Sequence, residues 1–558
     1  MNPSPLMAGW PSARVWLVPV LAGLTLHTFF QFPGHTWLQQ DTQIYVPILE
    51  HLRDPAVLRR DLVAEHPHVA FTLYDETARA LRRLGQPIAF GSHSIGFREV
   101  LEAGQLVTRA LGIWGLFLLA ESLGFSAAAS LVIAAFCSLG AVVPGPTVLT
   151  FEYEPTPRAF AIPLLFCAIG LAARRRWMGA AVAAAVAFLF HPPAAIPFWL
   201  LFVPLLIFHR RRRELAVPAL AFAVLLFSAH LQDGGHTDLF ARITPLMEQL
   251  QRYRTSYVWI STWPAGIIIQ HAVLFILCIA AIARITFTRE QPSKPIKDSA
   301  APWWQRLFDS PAPVFLLGLP LLGLLSMPFS WLMLERLKWS LMAQLQPMRG
   351  LLFVTLAAQF LSAAAALRAR TRLEAWIWFA LAILPPVQPL LNANWSIRAL
   401  AVVLALAGVC SLLPSFRLPA ALAAFFLIPL AGGVVNYPRL RTPELAQLSA
   451  WARSSTPQDS VFLFPASPRG LDPGIFRSEA LRAVYVDWKG GGQVNYLNEF
   501  AAEWWFRWQQ TLAHRFRPAD MSRCQKLGIQ YVVLPRQIRV QFAPVFVNST
   551  YAAYRLPE

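Results

Sequence analysis

Apolar runs of 14 to 20 residues recur through the first 435 positions, separated by short polar or basic segments. The runs at about 14–31, 102–121, 126–143, 159–173, 177–190, 194–208, 215–230, 264–283, 311–330, 351–367, 374–390, 397–413 and 418–435 predict thirteen membrane spans. The first run is long for a signal sequence and has no small-residue cleavage site before Gln31, so it reads as a retained span.

Two stretches break this pattern. The segment 33–98 is long and polar. Within it QIYVPILEHLR predicts a short helix, and HVAFTLYDETARALRRLG predicts another. In the second, Ala70, Leu73, Tyr74, Thr77, Leu81 and Leu84 fall near helical spacing, with Arg79, Arg82 and Arg83 largely opposite. Such a helix lies in a membrane interface or packs on its own domain. Residues 436–558 differ again. VFLFP (461–465), AVYVD (483–487) and YVVLP (531–535) read as buried strands, between helices predicted from PELAQLSAWARSS and NEFAAEWWFRWQQTLAHRF. The expected architecture is a polytopic α-helical membrane domain, 1–435, with a small α/β domain at 436–558 packed on it.

Composition agrees. The 558 residues are 56% apolar and 14% charged, against about a quarter charged in soluble domains. The net charge of +18 alone would suggest nucleic acid. Here the basic residues fall between apolar runs, so no nucleic-acid partner is expected. With the N-terminus in the cytoplasm, the inner loops 174–176, 210–213, 284–306 and 368–372 carry 15 Lys and Arg, against 7 in the shorter outer loops. That bias supports this orientation, with 33–98 and 436–558 outside the cytoplasm. The five cysteines show neither a pairing framework nor a CxxC spacing. No internal repeat is visible.

The informative polar residues then share the outer side. Asp41 follows the first span closely and either takes a proton from a hydroxyl, helps hold a metal, or caps the next helix, a role Thr42 fills equally well. In FEYEPTPRAF, Glu152 and Glu154 alternate and Arg158 starts a span. Arg158 would meet a phosphate headgroup, with either acid orienting it or holding a metal; the alternative is an ordinary acidic loop with a snorkelling arginine. His191 precedes Pro192-Pro193 and binds a phosphate or sugar, or a carbonyl freed by the prolines. In LERLKWSLMAQLQPMRG, Arg336, Lys338, Gln346 and Arg349 suit an anionic headgroup or anchor the interface with Trp331 and Trp339. His66 and His68 lack a nearby third ligand. In VDWKGGGQVNY, Lys489 offers a phosphate contact and Gly490-Gly491-Gly492 leaves the backbone open to a ligand. The spacing is not a nucleotide-binding motif. The aromatic helix with Trp504, Trp505 and Trp508 docks on the membrane or stacks on sugar.

These residues together resemble the GT-C superfamily of polytopic glycosyltransferases. Asp41 and Tyr45 form a D-x-x-x-Y stretch just after the first span, similar to the Asp-Glu-x-x-Tyr start of the first outer loop in protein mannosyltransferases and aminoarabinose transferases. Glu152 and Glu154 supply an acidic motif in the next outer loop. The resemblance implies an enzyme of the bacterial inner membrane that transfers sugar, with inversion, from a polyprenyl-phosphate-linked donor to an extracytoplasmic acceptor. Asp41 would be its catalytic base or acceptor-site carboxylate. Arg158, Arg336, Arg349 and His191 would hold the donor phosphate, supported by Tyr45, Glu152, Glu154, Gln346 and Lys489. Thr42 stands where relatives often carry Glu, so a divalent cation (Mg or Mn on Asp41 and Glu154) is an option and not a requirement. The tail lacks the Trp-Trp-Asp-Tyr-Gly motif of oligosaccharyltransferases. Membrane lipids are expected partners. A subunit role in a membrane complex and a lipid-linked-sugar transporter are the alternatives.

Overall fold

The computed structural model describes residues 16–30, 33–66, 72–86, 95–231, 241–287, 310–391, 441–496, 498–538 and 540–557. Eleven of the thirteen expected spans appear there as helices; the runs at 397–413 and 418–435 lie outside the described residues. The span helices begin with α1 (Leu17–Phe30). In the polar segment that follows, α2 (Thr42–Arg53), α3 (Leu62–Glu65) and α4 (Tyr74–Gly85) form. The long α5 (Phe97–Ser122) and α6 (Ala127–Ser138) come next. A two-residue hairpin, β1 (Val142–Val143) with β2 (Val148–Leu149), leads to α7 (Pro157–Ala173), α8 (Trp177–Phe190), α9 (Pro192–Phe208) and α10 (Arg212–Leu231).

A short amphipathic α11 (Pro245–Arg254) precedes α12 (Ala265–Phe287). Then come α13 (Pro311–Ser330), α14 (Ser340–Leu345), α15 (Leu351–Leu367) and α16 (Arg372–Leu391). Four described stretches are long and apolar enough to cross a membrane: Phe97–Ser122, Ala265–Thr286, Pro311–Arg336 and Ser340–Leu367. In the last, 94% of the 18-residue apolar window is buried. Close approach of α5 and α7 depends on glycine. A Cβ on Gly115 would stand 2.3 Å from the Phe166 carbonyl oxygen, and one on Gly170 would stand 2.0 Å from that of Gly115. Small residues let membrane helices pack backbone to backbone in this way.

The basic helix ends gather at one end of the bundle. Arg368 donates to the Leu123 carbonyl at 2.7 Å, while Arg284 pairs with Glu374 and donates to the Arg368 carbonyl. The C-terminal ends of α5, α12 and α15 thus meet the start of α16, as the alternating topology requires.

The tail is a five-stranded sheet with helices on both faces. Its strands are β3 (Val461–Leu463), β4 (Ala483–Val484), β5 (Tyr531–Pro535), β6 (Phe546–Val547) and β7 (Tyr551–Arg555), in the order β4-β3-β5-β7-β6. The first three are parallel; β7 and β6 are antiparallel. The final hairpin was not expected from the sequence. It turns at Asn548, whose side chain accepts from the Thr550 and Tyr551 N–H groups.

Side-chain alternation along the strands divides the core. On one face Val461, Leu463, Val532 and Leu534 pack against Phe500, Trp504 and Trp508 of α19 (Asn498–Thr511), counting α17 (Pro443–Ser455) and α18 (Asp472–Ala480) before it. On the other face Phe462, Phe464 and Val533 pack against Leu445 and Leu448 of α17 and Phe476 of α18. Trp504 and Trp508 are therefore core residues, and neither dock on the membrane nor stack on sugar.

The helix α2 joins the two parts. Its Ile44 and Ile48 enter the first of these cores, Val46 enters the second, and Leu49 packs with Tyr74, Phe97 and Phe160 of the helical bundle. Gly474 of α18 lies against Gln43, where an added Cβ would meet its Oε1 at 2.2 Å. The sequence suggests a domain packed on the bundle; the structure has a sheet that shares its hydrophobic cores with the polar segment after α1.

Candidate functional site

The entry to α2 is braced before any chemistry is added. Leu38 adopts a left-handed conformation (φ 58°). Its N–H donates to Thr42 Oγ1 at 2.9 Å, and its carbonyl accepts from Gln43 Nε2 at 2.7 Å. Helix starts leave unpaired N–H groups. Asp41 occupies the capping position and makes no side-chain cap. Glu154, from another loop, does that work: its Oε1 accepts from Gln39 N–H (2.5 Å) and Gln40 N–H (2.7 Å), and its Oε2 from Thr42 N–H (3.1 Å). The capping alternative for Asp41 is thereby corrected, and its carboxylate is released to face a cavity.

The loop carrying Glu154 is itself held. The Glu152 carbonyl accepts from Gln105 and from Arg109, a buried arginine of α5 that also binds the Thr28 and Gly34 carbonyls. Tyr74 donates its hydroxyl to the Pro155 carbonyl at 2.6 Å. Glu152 and Glu154 both line the cavity, yet their partners differ. Glu152 Oε1 accepts from Arg158 Nε at 2.9 Å.

Asp41 sits between two cations. Its Oδ2 accepts from Arg158 Nη2 at 2.8 Å and its Oδ1 from Lys489 Nζ at 2.7 Å. Burial would raise the Asp41 carboxyl, but Lys489 and Arg158 outweigh it and hold the group well below the usual carboxylate range. Burial pushes the Glu154 carboxyl up, against the N–H of Thr42 and with the charge of Asp41. Tyr45, one turn along α2, is pushed up by burial and by Asp41, and its ring meets Tyr74 edge to face at 5.1 Å.

These groups line a cavity of about 630 Å³. Of the residues expected from the sequence, Asp41, Tyr45, Glu152, Glu154, Arg158, His191, Arg349 and Lys489 share its wall. His191 caps α9, with Nδ1 accepting from Ala194 N–H at 3.2 Å. Arg349 donates from Nη1 to His191 Nε2 at 2.8 Å. Arg349 is 7% exposed, forms no ion pair, and its buried Nε has no acceptor among the described residues. Gln346 stands behind the wall in a left-handed conformation, 3.4 Å from the Tyr496 hydroxyl. Arg336 is a correction. It is exposed and stacks on Trp331 at 4.8 Å, away from the cavity, because the helix from α13 continues past Trp331 and turns it outward. His66 contacts the Leu62 carbonyl, and His68 lies outside the described residues.

Several lining residues were not singled out from the sequence: Arg254, Tyr257, Gln344, Trp488, Gln493 and Tyr496. Arg254 donates to the Trp488 carbonyl at 2.6 Å and the Lys489 carbonyl at 3.2 Å, and lies over the Trp488 ring. The signal that could have found these residues was the cluster RYRTSY, the rest of VDWKGGGQVNY and, for Gln344, the stretch LMAQLQPMRG.

Gly492 of that motif lines the cavity, whereas Gly490 and Gly491 serve packing, a second correction. A Cβ on Gly490 would reach Val63 at 2.7 Å, and one on Gly491 the Trp504 indole at 2.4 Å. Beneath them Arg477, about 1% exposed, bridges Asp61 (2.7 Å) and Asp487. Asp61 also caps α3 and accepts from Val484 N–H, and Asp487 accepts from Gly490 N–H at 3.0 Å. This buried triad fixes the turn that delivers Lys489 to Asp41.

The charge balance around the cavity is uneven. Its lining has four cations (Arg158, Arg254, Arg349, Lys489) and three acids (Asp41, Glu152, Glu154). The acids bond to Arg158, Lys489 and backbone N–H groups, and Arg254 is held by two carbonyls, which leaves Arg349 with neither an anion nor a carbonyl among the described residues. Much of the remaining wall is apolar, with Leu139, Val143, Val148, Phe151, Leu341 and Leu345. Among the described residues no three His, Cys, Asp or Glu side chains cluster as a metal site.

Residues 443–511, which include Lys489, match a domain family described as a domain of unknown function, DUF6798. No curated protein matches the chain. Among solved structures, ArnT from Cupriavidus metallidurans bound to undecaprenyl phosphate is similar at 14% identity over 97% of this chain and 97% of that one, with a TM-score of 0.50. The arabinofuranosyltransferase AftD from Mycobacteria is 14% identical over 98% of this chain and 40% of its own, at 0.45. The Archaeoglobus fulgidus oligosaccharyltransferase tethered to an acceptor peptide is 13% identical over 94% and 69%, at 0.38. The chain has the fold of the GT-C glycosyltransferases. At such identity the likeness establishes the fold alone.

Proposed function

We propose that this protein is a membrane glycosyltransferase that moves a sugar from a polyprenyl-phosphate donor to an acceptor hydroxyl, with inversion. One observation carries the reading: a buried guanidinium without an anion, Arg349, shares a half-apolar cavity with a carboxylate, Asp41. A buried unpaired charge is costly unless a ligand compensates it. A phosphate on an isoprenoid chain matches both halves of the wall. The similar ArnT structure, which is bound to undecaprenyl phosphate, supports that ligand class.

In this account Arg349 neutralises the donor phosphate. The acceptor oxygen attacks the sugar's anomeric carbon from the opposite face. The bond from that carbon to the phosphate oxygen breaks, and its electron pair stays on the polyprenyl phosphate. The acceptor's proton passes to Asp41. The step is routed through no divalent cation: Glu154 already accepts three backbone N–H groups and Asp41 accepts two cations, a donor set that does not fit a metal.

Arg284 at the end of α12 and Arg368 after α15 lie at the opposite end of the bundle from the cavity, which supports a cavity outside the cytoplasm of a bacterial inner membrane. The acids and bases lie in loops and at helix ends, which favours transfer at one face over transport through mid-membrane.

Replacing Arg349 by Gln is expected to weaken undecaprenyl phosphate binding by about 10- to 150-fold, the effect of charged hydrogen bonds worth about 1.5–3 kcal/mol. Titration of the purified variant with that lipid measures it, and unchanged affinity would remove the phosphate site from Arg349.

A further inference from the structure

Asp41 is in the wrong state for a base. Its two oxygens face Lys489 and Arg158, and with both in place it accepts a proton poorly. The two cations are not equivalent. Arg158 is shared with Glu152 through Nε, so it is fixed from two sides. Lys489 has one hydrogen-bond acceptor for its three ammonium protons among the described residues, and that acceptor is Asp41.

The Lys489 backbone is held by Arg254 and by the neighbouring Asp487–Gly490 bond. Its side chain is a flexible four-carbon stem that can swing without moving that backbone. Its ammonium borders the same cavity as Arg349. Tyr496 lines the same cavity, with its hydroxyl 3.4 Å from Gln346 Nε2.

We propose that Lys489 is a latch: the phosphate group of an arriving donor draws its ammonium off Asp41, and the carboxylate becomes a competent base only while the donor is bound. Arg158 stays on the other oxygen and keeps the carboxylate oriented. An empty site then cannot activate water or a stray hydroxyl. This inference rests on the phosphate-binding reading above and adds the control of its base. It makes Lys489 a residue with two alternating partners, and the tail the element that supplies it.

The latch predicts an unusual sign. If Asp41 and the phosphate compete for Lys489, removing the Asp41 charge must strengthen phosphate binding. Undecaprenyl phosphate alone is titrated against the full-length wild type, Asp41→Asn, Lys489→Met and the double variant. Asp41→Asn is expected to bind about fivefold tighter or more, the range of typical coupling between sites. Lys489→Met binds more weakly than wild type, and in its background Asp41→Asn changes nothing. Asp41→Ala repeats the test with a second side chain.

If Asp41→Asn binds no tighter, the latch is wrong. If the gain persists in the Lys489→Met background, its cause is simple repulsion and the latch is again wrong. Absence of binding by the wild type would instead overturn the donor reading itself.

Discussion

Asn in place of Asp41 is expected to lower sugar transfer by about 10²- to 10⁴-fold, the usual contribution of a positioned acid or base. The fold should survive, because Asp41 does not cap α2. Glu154 supplies that cap from a loop more than a hundred positions away. The amide keeps the shape of the carboxylate and still accepts from Arg158 or Lys489, but it cannot take the acceptor's proton at neutral pH. Single-turnover transfer from a labelled polyprenyl-phosphate donor, with the unfolding temperature as control, measures the effect. Transfer at the wild-type rate would remove Asp41 from the chemistry.

The second large effect falls on stability. Replacing Arg477 by Met should destabilise the tail by about 3–5 kcal/mol, the cost of removing one partner from a buried ion pair. Asp61 and Asp487 are at most 1% exposed on the side-chain level and would lose their shared cation. The damage spreads, because Asp61 caps α3 and holds β4 while Asp487 holds the turn before Gly490. Trp504 and Trp508 lie in the adjoining core, so their fluorescence reports unfolding directly. A triple variant, Asp61→Asn with Arg477→Met and Asp487→Asn, removes all three charges and should recover most of the loss. If Arg477→Met unfolds at the wild-type midpoint, the triad does not hold the tail.

Much of this was legible in the sequence, for identifiable reasons. Hydrophobic runs give spans because backbone hydrogen bonding in lipid leaves few alternatives to a helix. Eleven runs became helices with ends within a few residues of expectation. Asp41, Glu152, Glu154 and Arg158 could be grouped because each lies beside a span end on one side.

What could not be read was which acid serves which partner. Nothing local to Glu154 says that it will cap α2, nor does anything near Lys489 say that it will reach Asp41. Those are contacts over 112 and 448 positions, decided by tertiary packing. Arg336 misled because helix ends rich in Arg and Trp look alike whether they face a cavity or stack at the surface. Gly490 to Gly492 suggested ligand access, which holds for Gly492 in the cavity wall, but at Gly490 and Gly491 the same absence of Cβ lets Val63 and Trp504 close in. The hairpin β6–β7 escaped because its second strand carries Ala552 and Ala553, which signal a strand weakly, although they are buried there.

The most direct test of the account is a structure of the protein saturated with undecaprenyl phosphate. The phosphate is predicted within hydrogen-bonding distance of the Arg349 guanidinium, with the first isoprenoid units against Phe151, Val148 and Leu345. A phosphate bound elsewhere, with Arg349 still turned only to His191, would contradict the assignment of this cavity to a lipid-linked donor.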